Sequence, residues 1–212
     1  DWGAKVVNMQ YAYANCPKLT IANVGAKVED MSFGFEGCIN LTTAVCNANV
    51  TNMYMAYHNC TNLINAACGD KVTDLSNVYI NCPNLVNAAC GNGITNLANI
   101  YRNYPNLVKA ACGANVVDMS NAYRNCAKLT TAVSGAKVTN MDNTYADCSS
   151  LQKAVVPGAS IRELRNTYRN CANLTTITNV GANIMDHTYA DCANLINATS
   201  PANVIAMIGT YE

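Results

Sequence analysis

The chain repeats one pattern of apolar and polar positions with a period of 22 residues. Its plainest marks are Cys16, Cys38, Cys60 and Cys82, each 22 apart, with Tyr104 next in the register. Cys126, Cys148, Cys171 and Cys192 continue it through one spacing of 23 and one of 21. Seven residues before each mark stands Met or Leu (Met53, Leu75, Met119), and three before stands an aromatic (Phe35, Tyr57, Tyr79, Tyr101). Ten before stands Val or Ile, as at Val50, Val72 and Ile94, and three after stands leucine, as at Leu63, Leu85 and Leu107. Nine copies run from Val6 to Asn203, and a tenth starts at Val204 and stops at Glu212. One coil of this length is unable to bury its apolar face alone, so equivalent positions are expected to stack in columns.

A unit this short is below the helix-pair repeats of roughly 33–47 residues and suits one strand with a returning segment. The strand is read in Leu63-x-x-Ala66-x-Cys68, Leu85-x-x-Ala88-x-Cys90 and Leu107-x-x-Ala110-x-Cys112. This is the L-x-x-L-x-L phrase of leucine-rich repeats with smaller residues in its later places. Alternation puts Ala66 and Cys68 inward and Ala67 outward. Gly25, Gly69, Gly91, Gly113 and Gly135 follow the repeat leucine by six residues and mark a turn, with Pro157 and Pro201 in the same place. Val72, Leu75, Tyr79 and Cys82 are spaced three, four and three apart, which predicts a helical segment. Pro17, Pro83 and Pro105 fall just after such segments, where proline does no harm.

The predicted fold class is therefore an α/β repeat solenoid of leucine-rich-repeat type, with one short parallel strand and one helical turn per coil. A parallel β-helix is the alternative. Residues 1–212 read as a single solenoid domain. Neither end carries the polar cap that a solenoid end needs, so the chain reads as a fragment of a longer array, or as a protomer covered by others. The frame places one extra residue around Val156-Pro157-Gly158 and a loss of two between Ile184 and Met185.

Composition then removes function classes. Half the residues are hydrophobic, only 12% are charged, and the formal net charge is zero. A charge-poor neutral surface lacks the basic footprint that nucleic acid requires. The apolar runs are far too short to span a membrane. The 12 cysteines would suggest disulfides or a metal. A ladder of parallel side chains, however, makes the disulfide dihedral hard to reach and does not converge four ligands on zinc. The cysteines read as buried thiols, an inference supported by Tyr104 replacing one, and Val24 and Ser134 standing in the second column of Cys46, Cys68, Cys90 and Cys112. No metal or other cofactor is expected. His58 and His187 lie several coils apart, no nucleophile elbow or phosphate loop occurs, and no break in the repeat gathers polar residues. The chain is not expected to be an enzyme.

The columns of Cys60, Cys82 and Cys126, of Leu63, Leu85 and Leu107, and of Tyr79 and Tyr101 are assigned to the core. Asn15, Asn59, Asn81, Asn103, Asn125 and Asn170, with Asp147 and Asp191 in the same place, are assigned to turns and side-chain ladders. Arg102, Arg124 and Arg169 form an exposed row. The functional candidates are the outward positions of the sheet: Thr43, Asn65, Asn87, Lys109, Thr131, Lys153, Thr176 and Asn197. An extended, weakly polar face of this kind is what solenoids present to partners.

Phrases such as Val50-Thr51-Asn52-Met53 and Tyr123-Arg124-Asn125-Cys126-Ala127-Lys128-Leu129 make the chain resemble the BspA-like leucine-rich repeat surface proteins. It departs in using Tyr for the family's Phe, Ala for Ile or Leu in the strand, and no regular proline after it. The resemblance implies an extracellular or cell-surface protein with an adhesive role; joined to the outward positions above, it gives a host or neighbouring-cell protein or glycan bound through the sheet face. It carries over no catalytic residue. The competing reading is a fibre, spacer or virion component that self-associates end to end. Neither reading involves nucleic acid or membrane insertion.

Overall fold

Each coil contributes one very short strand, because only one of its side chains per strand is apolar and aimed inward. The strands are β1 (Ile21–Asn23), β2 (Thr43–Val45), β3 (Asn65–Ala67), β4 (Asn87–Ala89), β5 (Lys109–Ala111), β6 (Thr131–Val133), β7 (Lys153–Val155), β8 (Thr176–Thr178) and β9 (Asn197–Ala198). They come from a computed structural model of the chain, which describes residues 5–156, 161–162, 164–178, 182–198 and 208–209. The partial repeat from Val204, apart from Ile208 and Gly209, lies outside the described residues, as do Pro157, Pro201 and the first four residues.

The chain divides into two compact units, Asp1–Ile94 and Thr95–Glu212. In the first, β1 to β4 pair in parallel and in chain order, with Ala22, Ala44, Ala66 and Ala88 in one row. In the second, β6 to β9 do the same with Ala132, Ala154, Ile177 and Ala198. The step from Ala154 to Ile177 is 23 residues and the next is 21, so both irregular coils return to register at the strand. Successive strands of one sheet lie about 4.8 Å apart, which brings equivalent side chains into contact. Leu41, Leu63 and Leu85 are buried in one unit, and Leu107, Leu129, Leu151 and Leu174 in the other. A coil holding so few apolar side chains gains its stability from these neighbour contacts.

The Val-to-Cys segment is not a helix. No helix occurs among the described residues, where this segment is a run of turns. In the coil of Met119, the N–H groups of Met119, Asn121, Tyr123 and Asn125 donate to carbonyls of the next coil, at Asn140, Asp142, Thr144 and Ala146. The alternate N–H groups of Ala122, Arg124 and Cys126 donate back three residues within the coil. The same alternation runs through Met9, Tyr11, Tyr13 and Asn15. It is achieved by placing two residues per coil in the left-handed region, such as Asn121 (φ 53) and Asn125 (φ 60). Asparagine and aspartate accept that region more readily than other residues with a Cβ. Spacings of three and four thus come from consecutive tight turns that face the same apolar residues inward, and a 3.6-residue period mimics them closely.

The second irregular coil also differs from the sequence reading. Cys192 is preceded by ten residues at Ala182, which is buried, whereas Ile184 is half exposed. The Leu164 N–H donates to the Ile184 carbonyl just as Met31 donates to Asn52. Ile184 therefore occupies the asparagine place before Met185, and Ala182 the valine place. One residue is missing, and the shortening falls between Thr178 and Ala182. Keeping the inter-coil hydrogen bonds outweighs burying the larger Ile184 side chain.

Candidate functional site

The first strand residue of each coil faces out, as the alternation requires. Lys109, Thr131, Lys153 and Asn197 are exposed, and Thr43, Asn65, Asn87 and Thr176 are half-buried. The third strand residue also faces out, which the candidate set above did not include. Val45, Val133 and Val155 are exposed, the first two by more than half (52% and 54%). Large β-branched side chains this open on two strands of one unit (β6 and β7) form an apolar strip beside the Thr131–Lys153 row. Alternation along three residues was the available signal for them. In the first unit the row is tied together, since the Asn87 Nδ2 donates to the Asn65 Oδ1 at 2.6 Å. Beside β7 and β9 the surface is indented into an open groove of about 620 Å³, bordered by Gln152, Lys153, Asn173, Thr175, Asn194 and Ile196.

A second exposed surface in the first unit was not anticipated. Tyr11 stacks on Phe33 with ring centroids 4.6 Å apart, and Phe33 meets the edge of Tyr54 at 5.3 Å. Tyr11 and Phe33, with Met55 next in the column, sit at the left-handed place that other coils give to asparagine (φ 55, 54 and 51). Bulky side chains there cost roughly 1–2 kcal/mol each.

The buried columns are built differently from one another. Phe35, Tyr57 and Tyr79 stack nearly parallel in one unit, and Tyr101, Tyr123, Tyr145, Tyr168 and Tyr189 in the other, with centroids 5.5 to 6.0 Å apart. The hydroxyls of Tyr57 and Tyr168 are buried with no hydrogen-bond partner. Burial, and then the nearby thiols of Cys46, Cys60 and Cys68, push the Tyr57 phenol well above its ordinary pKa.

In the first cysteine column the thiols from Cys38 onward donate to the aromatic residue's carbonyl one coil back. Cys60 reaches Phe35, Cys82 reaches Tyr57, Cys126 reaches Tyr101 and Cys148 reaches Tyr123, each at 3.1 Å. Burial lifts the Cys82 and Cys126 thiols to about 12, so they stay protonated and serve as donors. Thr144, Thr167 and Thr188 satisfy the Met119, Met141 and Leu164 carbonyls in the same manner, at 2.7 to 2.8 Å. Cysteine here is a small apolar side chain with one donor, which explains its persistence without any redox role. Cys148→Val should cost about 1–2 kcal/mol, because the buried Tyr123 carbonyl loses its thiol donor. Cys148→Ser, which keeps a donor, should cost less; urea unfolding of the two variants compares them.

The asparagine columns combine both assigned roles. Asn15, Asn59, Asn81, Asn103, Asn125 and Asn170 all have φ between 57 and 65, as do Asp147 and Asp191. Within each unit their amides also link coils: Asn81 to Asn59 at 2.8 Å, Asn125 to Asn103 at 3.1 Å and Asn170 to Asp147 at 3.2 Å. The exposed arginine row pairs loosely with the acids, Arg124 with Asp147 at 3.5 Å and Arg169 with Asp191 at 3.8 Å. Such surface pairs contribute at most about 1 kcal/mol. The two histidines each meet one acid, His58 with Glu36 at 3.0 Å and His187 with Asp186 at 2.6 Å. His58 belongs to the first unit and His187 to the second.

The sequence matches the family model described as the BspA type leucine rich repeat region, in six copies over residues 9–109 and 119–211. The chain belongs to the BspA-type leucine-rich repeat family. Its members are repeat proteins that typically serve protein interaction and are generally non-catalytic. Among solved structures, this BspA-type chain is similar to an internalin (inlF) from Listeria monocytogenes, with 16% identity and a TM-score of 0.51 over 80% of this chain and 53% of that one. It is also similar to a leucine-rich repeat protein from Eubacterium ventriosum (13% identity, TM-score 0.48, 92% of this chain and 82% of that). A leucine rich cell surface protein from Faecalibacterium prausnitzii is a third (16%, 0.46, 94% and 72%). The internalin likeness is one of fold. No curated protein matches the sequence. No helix among the described residues is long and apolar enough to cross a membrane.

Proposed function

We propose that this BspA-type solenoid is a protein-interaction module of the cell surface or extracellular space, adhering to proteins of a host or neighbouring cell through its sheet face. The observation that carries this reading is the exposed strip on β6 and β7, where Thr131, Val133, Lys153 and Val155 stand side by side. Apolar β-branched groups beside threonine and lysine are cheap to dehydrate and still offer polar contacts at the rim. The groove next to Lys153 gives that surface relief. Membership of the BspA-type family supports the adhesive, surface-displayed part of this reading.

The test uses the folded chain immobilised against intact epithelial cells and against surfaces coated with extracellular-matrix proteins. Val133→Asp with Val155→Asp places two charges in the strip without touching a core position. Bound cells or matrix protein should fall at least tenfold. Retention of full binding by this double variant, with circular dichroism unchanged, would remove the sheet face from the proposal.

A further inference from the structure

Two members of the second cysteine column, Cys46 and Cys68, use their sulfur atoms differently from the first column. Cys60 and Cys82 donate their S–H to carbonyls. Cys46 and Cys68 are acceptors instead: the Gly69 N–H donates to the Cys46 sulfur at 2.8 Å, and the Gly91 N–H to the Cys68 sulfur at 3.0 Å. Backbone N–H bonds to sulfur stabilise negative charge there, and metal–thiolate centres are tuned by the same contacts. The glycines make this approach possible. A Cβ on Gly69 would stand 2.6 Å from the Asn47 carbonyl oxygen, and one on Gly91 would collide with the Gly69 carbonyl oxygen.

The spacing of the two sulfurs follows from the sheet. β2 and β3 pair in register up to Val45 and Ala67, and Cys46 and Cys68 are the next residues along. Parallel strands about 4.8 Å apart hold such side chains at about the same separation. A soft cation midway between two thiolates, with metal–sulfur bonds of about 2.3 Å, spans about 4.6 Å. Tetrahedral zinc is unsuited, since among the described residues no three or more His, Cys, Asp or Glu side chains are grouped to hold a metal.

A further polar group lies in the same core. Tyr57 is fully buried, the thiols of Cys46, Cys60 and Cys68 act electrostatically on its phenol, and its hydroxyl has no acceptor. A thiol sulfur accepts hydrogen bonds weakly, whereas a metal-bound thiolate accepts them well. Metallation would give the stranded O–H its partner. Cys68 is half-buried and leaves the ion a way in.

We propose that Cys46 and Cys68 hold copper(I) in a linear two-thiolate site, with Tyr57 donating to a bound sulfur. On binding, each thiol releases one proton to solvent, two sulfur–copper bonds form, and no electron is transferred. The complex carries one net negative charge, which the Gly69 and Gly91 N–H groups and the Tyr57 hydroxyl face.

The full chain is titrated anaerobically with copper(I) against a chromophoric copper(I) chelator. Cys46→Ser with Cys68→Ser should bind one equivalent fewer than the unaltered chain, while Cys60→Ser with Cys82→Ser should bind the same number. Tyr57→Phe should weaken the site about tenfold, as loss of a partner to a metal ligand commonly does. An unchanged copper count in the Cys46/Cys68 variant overturns the proposal, as does loss of that equivalent in the Cys60/Cys82 variant. A second readout needs no substitution: silver(I), a redox-inert stand-in, should shield Cys46 and Cys68 from iodoacetamide, read by peptide mass spectrometry. Shielding confined to other cysteines is equally fatal.

Discussion

Tyr168→Ala is expected to destabilise the second unit by about 4 kcal/mol, in the range for removing a buried aromatic ring. The Tyr168 side chain is fully buried and its ring lies 5.6 Å from that of Tyr145 and 6.0 Å from that of Tyr189. Truncation removes both stacking contacts and leaves a cavity that the neighbouring coils fill poorly, because their backbones are tied by inter-coil hydrogen bonds. Tyr168→Phe should do the reverse. Its hydroxyl is buried without a partner, so removing it relieves a desolvation cost of about 1 kcal/mol. Phe35 already fills the equivalent place in the second coil, stacked on Tyr13 and Tyr57. Urea unfolding followed by circular dichroism measures both. A Phe variant as unstable as the Ala variant would mean that the hydroxyl, and not the ring, holds the column together.

The second large effect tests the backbone. Asn121 has φ 53, and its N–H donates to the Asp142 carbonyl at 2.8 Å. Asn121→Val should cost about 2–3 kcal/mol, since a β-branched residue fits the left-handed region worst. Asn121→Ala should cost about 1 kcal/mol, and Asn121→Gly should be neutral or slightly stabilising. This ranking inverts that of a helix, where glycine is about 1 kcal/mol worse than alanine. Thermal unfolding of the three variants distinguishes the arrangements. A glycine variant clearly less stable than the alanine one would restore the helical reading of this segment.

The repeat, the strand and the buried columns were legible because each rests on a side-chain identity that recurs at one spacing. Leu63, Leu85 and Leu107 lie in the core where that spacing puts them. The helical segment was misread for a definable reason. Val72, Leu75, Tyr79 and Cys82 are all buried in the structure, so the inward face was correctly identified and only the backbone path was wrong. Asparagine at two places four residues apart, Asn77 and Asn81, was the contrary signal, since both adopt positive φ. Two left-handed residues per coil are incompatible with a helix. Which atom of a cysteine gives or receives a hydrogen bond is not encoded in spacing at all, so the difference between Cys60 and Cys46 became visible only with coordinates. Val133 and Val155 differ from this: they share the column of Ala67, which alternation already placed outward, so their exposure was legible although the candidate set left them out.

The alternation of N–H directions makes the turn segment of each stack electrically directional. In the coil of Met119, four N–H groups all aim toward the higher-numbered neighbour. Their dipoles add along the column, much as peptide dipoles add along a helix axis. A coil that closes such a column on the high-numbered side presents a row of bare donors, and one that closes it on the low-numbered side presents bare acceptors. A lid suited to one side is mismatched to the other, and two copies meeting head to head would oppose donor to donor.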